Sequence, residues 1–108
     1  MAGRFLQEKR YRLLDANYRC RWGEVDIVAH DGDELVFVEV RTRHGIQYGT
    51  LEESVTAAKA RQLIATVQDY LQQYGQEESE WRIDLIAIGL DGDHRVHRIS
   101  HLPKAVEK

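Results

Sequence analysis

The chain has a single cysteine, Cys20, among its 108 residues. A lone cysteine excludes an internal disulfide and a zinc site built from clustered cysteines. The sequence also lacks any apolar run that approaches the ~20 residues a membrane helix needs. Its first residues contain no continuous apolar segment of the kind found in export signals. We therefore expect a cytoplasmic protein with no membrane partner.

An excess of positive charge is also missing. The net charge is -3, which argues against a protein that holds nucleic acid by bulk positive charge. Basic residues are nevertheless concentrated in residues 1–21, where six of them stand against two acidic residues. Such a segment is either a solvated face or a surface that contacts a phosphate backbone. Arg19 and Arg21 are the candidates for that contact.

The residues that are present predict one folded domain over 1–108. The length and the 43% content of hydrophobic residues are sufficient for a single core. Apolar spacing and turn signals predict, in order, a helix over 2–14, strands over 16–20, 24–30 and 34–43, a loop at Gly45 and Gly49, a helix over 54–74 capped by Ser54 or Thr56, and strands over 81–90 and 95–99. This order predicts an α/β fold whose mixed sheet is flanked by helices.

The second and third strands form a predicted hairpin around Gly32 and Asp33. In that register Asp26 lies opposite Glu39, and Glu24 lies opposite Arg41. Directly opposed like charges destabilise a strand pair, so the two acids predict a cation that neutralises them.

The two faces of this hairpin differ, because side chains alternate along a strand. One face is charged at its open end and apolar near the turn, where Val28, Leu35 and Phe37 lie. The other face is wholly apolar, and we expect the apolar stripe of the long helix to cover it. Its members are Val25, Ile27, Ala29, Val36, Val38 and Val40.

The element order, with Asp26 followed by Glu39-Val40-Arg41, resembles the PD-(D/E)XK nuclease superfamily and its restriction-endonuclease-like fold. The resemblance to the YraN-type family of small, mostly uncharacterised bacterial proteins is closer and spans nearly the whole chain. It is carried by Ala-Asn-Tyr-Arg-Cys-Arg-Trp-Gly-Glu-Val-Asp-Ile-Val, Val-Phe-Val-Glu-Val-Arg-Thr-Arg and Arg-Ile-Asp-Leu-Ile-Ala-Ile. Its nearest functional relatives are archaeal Holliday junction resolvases. The resemblance implies an α-β-β-β-α-β core and a metal-dependent nuclease that cleaves DNA, with branched DNA as one expected substrate.

Position by position, the resemblance implies that Asp26 and Glu39 bind Mg²⁺ or Mn²⁺, with the Val40 carbonyl as a further ligand. Arg41 stands where the superfamily has a lysine; an arginine stays charged at any working pH and can only position and stabilise. Members of the YraN-type family usually carry a Gly-Glu pair before the stretch that aligns with Ala2, and junction resolvases use a glutamate on this helix. We therefore expect the first helix to be truncated at its N-terminus; the alternative is that this third acid is absent.

Other residues near this site have two interpretations each. Glu24 either receives a metal-bound water or holds Arg41 by an ion pair. Lys59, at the margin of the long helix's apolar stripe, is either a substitute cation or an ordinary boundary lysine. Asp26 and Glu39 themselves could form a structural salt-bridge network. The predicted nucleic-acid contacts are Arg41, Arg43, Lys59, Arg19 and Arg21.

Two further groups of polar residues are interpreted as structural. Asp84 lies in the fourth strand, and we expect it to pair with a basic residue. His94, His97 and His101 do not have the spacing of a zinc site, because positions 94 and 97 point to opposite faces of a strand.

Three functions follow: a metal-dependent endonuclease with DNA, rather than RNA, as its partner; a non-catalytic nucleic-acid-binding protein that retains the fold; and a structural protein that binds its partner as a homodimer.

Overall fold

The computed structural model describes residues 2–44 and 55–106. Its elements are α1 (Ala2–Glu8), β1 (Arg12–Cys20), β2 (Gly23–Asp31), β3 (Glu34–His44), α2 (Ala57–Gln73), β4 (Trp81–Leu90) and β5 (Val96–Val106). The predicted loop at Gly45 and Gly49 and the predicted helix start at Ser54 lie outside the described residues. Within the described ranges, no helix combines the length and the apolar character needed to span a bilayer.

The strands form one five-stranded sheet in the order β1-β2-β3-β4-β5. β3 and β4 are parallel, and the other neighbouring pairs are antiparallel. A parallel pair needs a crossover connection, and α2 lies in the connection between these two strands. The predicted α/β fold, with a mixed sheet flanked by helices in the restriction-endonuclease-like order, is confirmed.

The first helix is shorter than predicted and the first strand is longer. α1 ends at Glu8, and Arg10 has a left-handed φ of 70° that takes the chain out of the helix. From Arg12 onward the backbone pairs with β2, beginning opposite His30. The prediction of a helix to residue 14 was wrong because Leu13 and Leu14 belong to a strand, and so short an apolar pattern fits either structure.

The two helices cover opposite faces of the sheet, but not the faces that the sequence predicted. α2 packs through Leu63 and Val67 on the face that carries Val28 and Phe37. The all-apolar face is instead covered by α1, whose Leu6 is fully buried there. The long helix therefore lies on the same side of the sheet as the charged end of the hairpin. The prediction was wrong because either apolar surface could accept either helix, and the sequence pattern does not distinguish them.

The alternation of β2 is interrupted at Asp26. Residues two apart on a regular strand lie on the same face, but Val25 packs under α2 and Ile27 packs under α1. Val28 again packs under α2. Across from Asp26, between the paired residues Ala16 and Tyr18, Asn17 adopts a left-handed φ of 55°. Asparagine tolerates that conformation better than most residues. The placement of Val25 and Ile27 on one face was therefore wrong, and Asp26 lies at an irregular point of the sheet.

The ends of α2 are set by local chemistry. Thr56 caps the start of the helix: its Oγ1 accepts the Lys59 N–H at 3.1 Å. Thr56 was one of the two caps predicted from the sequence. Gly75 adopts a φ of 64° after the last turn. The Gly75 N–H donates to the Gln72 carbonyl and the Gln76 N–H to the Leu71 carbonyl, which is the Schellman pattern of hydrogen bonds. Lys59 and Tyr74 are therefore held at fixed positions near the two ends of the helix.

The last strand extends to Val106, well beyond the predicted end at 99. Its pairing with β4 is interrupted between the Leu85–Leu102 and Ile83–Val106 pairs. Pro103 lies in this interruption, where the edge of a sheet tolerates a residue without an N–H. Lys104, with a φ of 54°, donates its N–H to the Asp84 carboxylate at 3.1 Å. The predicted strand ended too early because Pro103 and the interrupted pairing break the alternating pattern from which a strand is predicted.

Candidate functional site

The candidate site begins where the β2–β3 ladder stops. Paired residues run from Asp31–Glu34 to Ile27–Val38, which confirms the predicted register over that part of the hairpin. At the next position the Val40 N–H donates to the Asp26 carboxylate at 2.7 Å. A side chain thus takes the hydrogen bond that the neighbouring strand would otherwise supply, and it fixes Asp26 beside Val40.

Three carboxylates gather at this point. Burial raises the pKa of Asp26 to about 6, against the stabilising hydrogen bond from the Val40 N–H; the adjacent Glu39 and Glu24 carboxylates raise it further. The sequence register brought Asp26 and Glu39 together, and the structure places them within interaction distance. The local charge of the three acids favours binding of a cation.

One cation comes from α2. Lys59 Nζ lies 3.1 Å from Glu39 Oε2, and the Glu39 side chain is only 12% exposed. Arg41 lies on the same side, with its guanidinium 3.9 Å from the same oxygen. The first turn of α2 can reach Glu39 because this helix covers the charged face and not the opposite one. The structure therefore places the Lys59 ammonium group at the acids.

The remaining candidates surround this group. Glu24 forms an ion pair with Arg19, its cross-strand neighbour on β1. Arg43 is half-buried on β3, two residues beyond Arg41, and pairs across the ladder with Gly89. Arg21 lies just after the end of β1 and is exposed. The predicted phosphate contacts therefore extend from β3 to the β1 edge of the sheet.

Of the three acids, Asp26 lines a surface pocket of about 690 Å³ on the α1 side of the sheet. Ala2 and Gly3 of α1 form one wall, and Asp26 and Val40 form another. Asn17, with its left-handed backbone, also lines the pocket. The interruption of β2 thus exposes the Asp26 carboxylate to a cavity that a ligand could enter.

Asp26 and Glu39 are the candidate ligands for a hard divalent cation. Among the residues that the structure describes, no group of three or more His, Cys, Asp or Glu side chains is arranged to hold a metal ion. Mg²⁺ usually keeps several waters and binds through one or two carboxylates together with substrate phosphates. Asp26 and Glu39 supply carboxylates of that kind. They therefore fit a shared protein and substrate metal site, and they do not form a closed structural one.

A second charged cluster, on β4 and β5, is structural in character. Asp84 is fully buried; it accepts from Arg82 at 2.9 Å and bonds His101 Nε2 at 2.7 Å. Burial alone would raise the pKa of Asp84, but the bonds from His101, Arg82 and the Lys104 N–H outweigh it and hold that pKa below its usual value. The expectation that Asp84 pairs with a basic residue is confirmed.

Arg82 extends this cluster to the hairpin and to the start of β1. Its guanidinium donates to Asp31 at 3.1 Å, to Glu34 at 2.7 Å and to the Tyr11 hydroxyl at 2.7 Å. Sequence reasoning missed Tyr11, since it was placed inside a helix. The network connects four strands of the sheet, and each of these side chains has a partner within it, which is typical of a structural role.

Comparison with known proteins identifies the family. The family model described as "Uncharacterised protein family UPF0102" matches residues 1–88. The chain belongs to this family. It is the YraN-type family that the sequence motifs resemble, so that resemblance is confirmed.

Relatives in UPF0102 match along almost the whole chain. A UPF0102 protein of Pelotomaculum thermopropionicum is 44% identical, covering 96% of this chain and 87% of the relative. A UPF0102 protein of Roseiflexus castenholzii is 46% identical, covering 100% and 88%. One of Geobacter sulfurreducens is 43% identical, covering 99% and 83%. These proteins are similar throughout the fold described above.

Proposed function

We propose that the protein is a Mg²⁺- or Mn²⁺-dependent endonuclease that hydrolyses phosphodiester bonds in DNA, with branched DNA as one class of substrate. The observation that carries the proposal is the gathering of Asp26 and Glu39 at the point where the β2–β3 ladder stops, beside a pocket and two cations. The resemblance to nucleases at these positions supports the same conclusion.

Asp26 is prepared for metal binding by its surroundings. Burial and the neighbouring acids disfavour its negative charge, as its raised pKa shows, while the Val40 N–H orients the carboxylate. Glu39 would be the second ligand, and the Val40 carbonyl a third. A bound Mg²⁺ or Mn²⁺ would supply an acidic water and neutralise charge on the phosphate.

The basic residues would hold the substrate. The Arg41 guanidinium, near Glu39, can make two parallel hydrogen bonds to a phosphate. Lys59 supplies an ammonium group at the acids. If Glu39 held a metal, the Lys59 ammonium would be available to the substrate phosphate. Arg43, Arg19 and Arg21 would contact the backbone further along the surface.

A non-catalytic nucleic-acid-binding protein is the second candidate. One observation favours it: Lys59 already neutralises Glu39 at 3.1 Å, which lowers the need for a metal. In that case the protein would bind DNA through the same basic residues and leave it intact.

Cleavage of defined substrates tests the proposal. Full-length protein is incubated with plasmid, single-stranded and four-way-junction DNA, each with Mg²⁺, with Mn²⁺ and with EDTA. Glu39→Gln keeps the size of the side chain and removes the charge, so it should abolish cleavage. Asp33→Asn, an exposed acid at the hairpin turn, is the matched control and should cleave as the wild type does.

The outcomes separate the two functions. Cleavage that needs a divalent ion and disappears in Glu39→Gln supports the nuclease. Equal cleavage by the wild type and by Glu39→Gln would show that the activity comes from a contaminating enzyme. DNA binding in a mobility assay without cleavage under any metal condition would establish the non-catalytic alternative.

A further inference from the structure

A second pocket, of about 600 Å³, lies at the β1 edge of the sheet on the side covered by α2. β1 contributes Tyr18 and Arg19, the following turn contributes Arg21, and the end of α2 contributes Asp69 and Tyr74. Its volume falls in the range of small-molecule binding sites. The residues of this pocket combine aromatic rings with cations, and each group has a defined position.

Tyr74 packs against a buried ring and is itself largely exposed. The ring lies 4.5 Å from the ring of Tyr70, centroid to centroid, at an interplanar angle of 34°. Tyr70 is buried and also contacts the edges of Tyr18 and Phe37, so it forms a fixed support. Tyr74 is nevertheless 55% exposed. An aromatic ring that is supported on one side and open on the other is suited to stack a planar group.

Arg21 lines the same pocket and packs on the ring of Trp22. Its guanidinium carbon lies 4.4 Å from the centroid of the Trp22 ring. Stacking uses the face of a guanidinium, so the N–H groups at its edge can still bind a phosphate by two parallel bonds. Trp22 is itself 46% exposed and extends the aromatic surface.

Tyr18 and Asp69 form the polar wall of the pocket. The Tyr18 hydroxyl donates to Asp69 Oδ2, a bond that ties β1 to α2. Burial and this carboxylate raise the pKa of Tyr18, so the phenol keeps its proton at working pH. The second oxygen of Asp69 can accept a hydrogen bond from an amino group on the edge of a base.

We propose that this pocket binds one unpaired nucleotide of a nucleic acid, with the base stacked on Tyr74 and its phosphate held by Arg21. In a duplex both faces of a base are covered by neighbouring bases, so only an unpaired nucleotide can offer a face to Tyr74. The inference rests on the proposed action on nucleic acid and narrows the substrate to strands with unpaired nucleotides, such as single strands, ends and junctions.

The pocket is joined to the acids through one ion pair. Arg19 on its rim contacts Glu24, and Glu24 in turn lies beside Asp26. Lys59, near the start of α2, contacts Glu39, whereas Tyr74 lies at the other end of the helix, so about 20 Å separates the ring from the acids. That is the length of roughly six nucleotides of a stacked strand. The stacked base would therefore lie about six nucleotides from the bond that is cleaved.

Binding in EDTA tests the pocket without cleavage. Fluorescence anisotropy of the full chain is measured with a labelled single strand, the same strand built from abasic nucleotides, and a blunt duplex. Tyr74→Ala and Arg21→Met should each weaken single-strand binding about tenfold. Tyr74→Phe should bind as the wild type does, since it keeps the ring. Arg4→Met, an exposed arginine on α1, controls for loss of one charge.

The folding of the variants is checked independently. Tyr74 caps α2 through its backbone N–H, which the substitution retains, so the far-ultraviolet circular dichroism of Tyr74→Ala should match the wild type. Quenching of Trp22 fluorescence in a Trp81→Phe background gives a second readout, because the chain has only two tryptophans.

Each outcome has one meaning. Wild-type affinity in both Tyr74→Ala and Arg21→Met, or equal binding of the normal and abasic strands, overturns the pocket even if the protein is a nuclease. Loss of binding in these variants supports the pocket even if no metal permits cleavage. Dissociation of a homodimer by Tyr74→Ala, with unchanged DNA affinity, would assign the surface to a second copy of the chain and overturn the proposal.

Discussion

Lys59 Nζ lies 3.1 Å from Glu39 Oε2, which joins the first turn of α2 to the acidic end of β3. The contact places a positive charge among carboxylates that would otherwise repel one another. It also means that a divalent cation and Lys59 compete for the same acid.

Removal of Lys59 should make the protein depend on a divalent ion. In Lys59→Met the largely buried Glu39 loses its lysine partner, and we expect a loss of about 1 kcal/mol in the free energy of unfolding at pH 7 and low salt, because the ammonium is partly screened by solvent. Saturating Mn²⁺ should raise the melting temperature of this variant more than that of the wild type. Arg61→Met, an exposed cation on the same helix, is the control. An equal Mn²⁺ response in all three proteins would argue against the competition.

Asp26→Asn should change the pH dependence of stability in metal-free protein. The folded pKa of about 6 lies above the ordinary value of 3.8, so between these values the folded state binds more protons than the unfolded state. Wild-type stability therefore falls as the pH rises from about 4 to 6, by about 1 kcal/mol once solvent screening is included. Asparagine keeps an acceptor for the Val40 N–H and removes the charge. The variant should lack this decrease and be more stable at pH 7.

Urea titrations from pH 4 to pH 8 in EDTA would measure this difference. A wild-type stability that rises over the interval, or a variant that is less stable at pH 7, would show that another group controls the local electrostatics.

Asp84→Ala should be the most destabilising of these changes. The substitution removes the carboxylate between Arg82 and His101, both largely buried, and opens a cavity. Removal of one partner from a buried ion pair lowers the free energy of unfolding by about 3 kcal/mol or more. Because the pKa of Asp84 is held low, the stabilisation is present at neutral pH and lost as the pH falls through that lowered pKa. Asp93→Ala, at an exposed position of the β4–β5 turn, should cost much less. Thermal unfolding at pH 7 and pH 3 distinguishes the two variants.

The packing of α1 on the sheet should depend on Leu6. The side chain is fully buried although the helix has seven residues, so Leu6→Ala should cost about 3 kcal/mol. Leu14→Ala, on an exposed side chain, should cost less than about 1 kcal/mol. Since Ala2 and Gly3 line the pocket at Asp26, Leu6→Ala should also increase amide hydrogen exchange in β1 near Asn17. Unchanged exchange there would show that α1 does not support the pocket wall.

The sequence predicted the parts of the fold that depend on local pattern. The hairpin register followed from the turn at Gly32, and α2 followed from helical spacing between Thr56 and Gly75. The assignment of helices to faces did not follow, because the charged face also carries the apolar residues Val28 and Phe37. Only the packing in three dimensions decides which surface a helix covers.

The sequence predicted that Asp26 and Glu39 lie together, but it did not predict the residues that surround them. Asp26 and Glu39 stood out as charges within apolar strands. The interruption at Asp26 gave no comparable signal, since Asn17 is an ordinary strand neighbour until its left-handed φ is known. Tyr74 and Asp69 meet Tyr18 only through the path of α2 across the sheet, which no spacing in the chain records.

The irregular course of β1 has a further consequence for the behaviour of the protein at high concentration. An edge strand with a regular row of free backbone groups is a template for aggregation. Here the pairing shifts between Leu13 and Asp15, and the Asp15 carboxylate accepts the Ala16 N–H at 2.8 Å. Exposed Arg12 and Arg19 add charge at the two ends of the strand. The distortion that opens the pocket at Asp26 thus also discourages another chain from extending the sheet, and it favours a protein that stays dispersed.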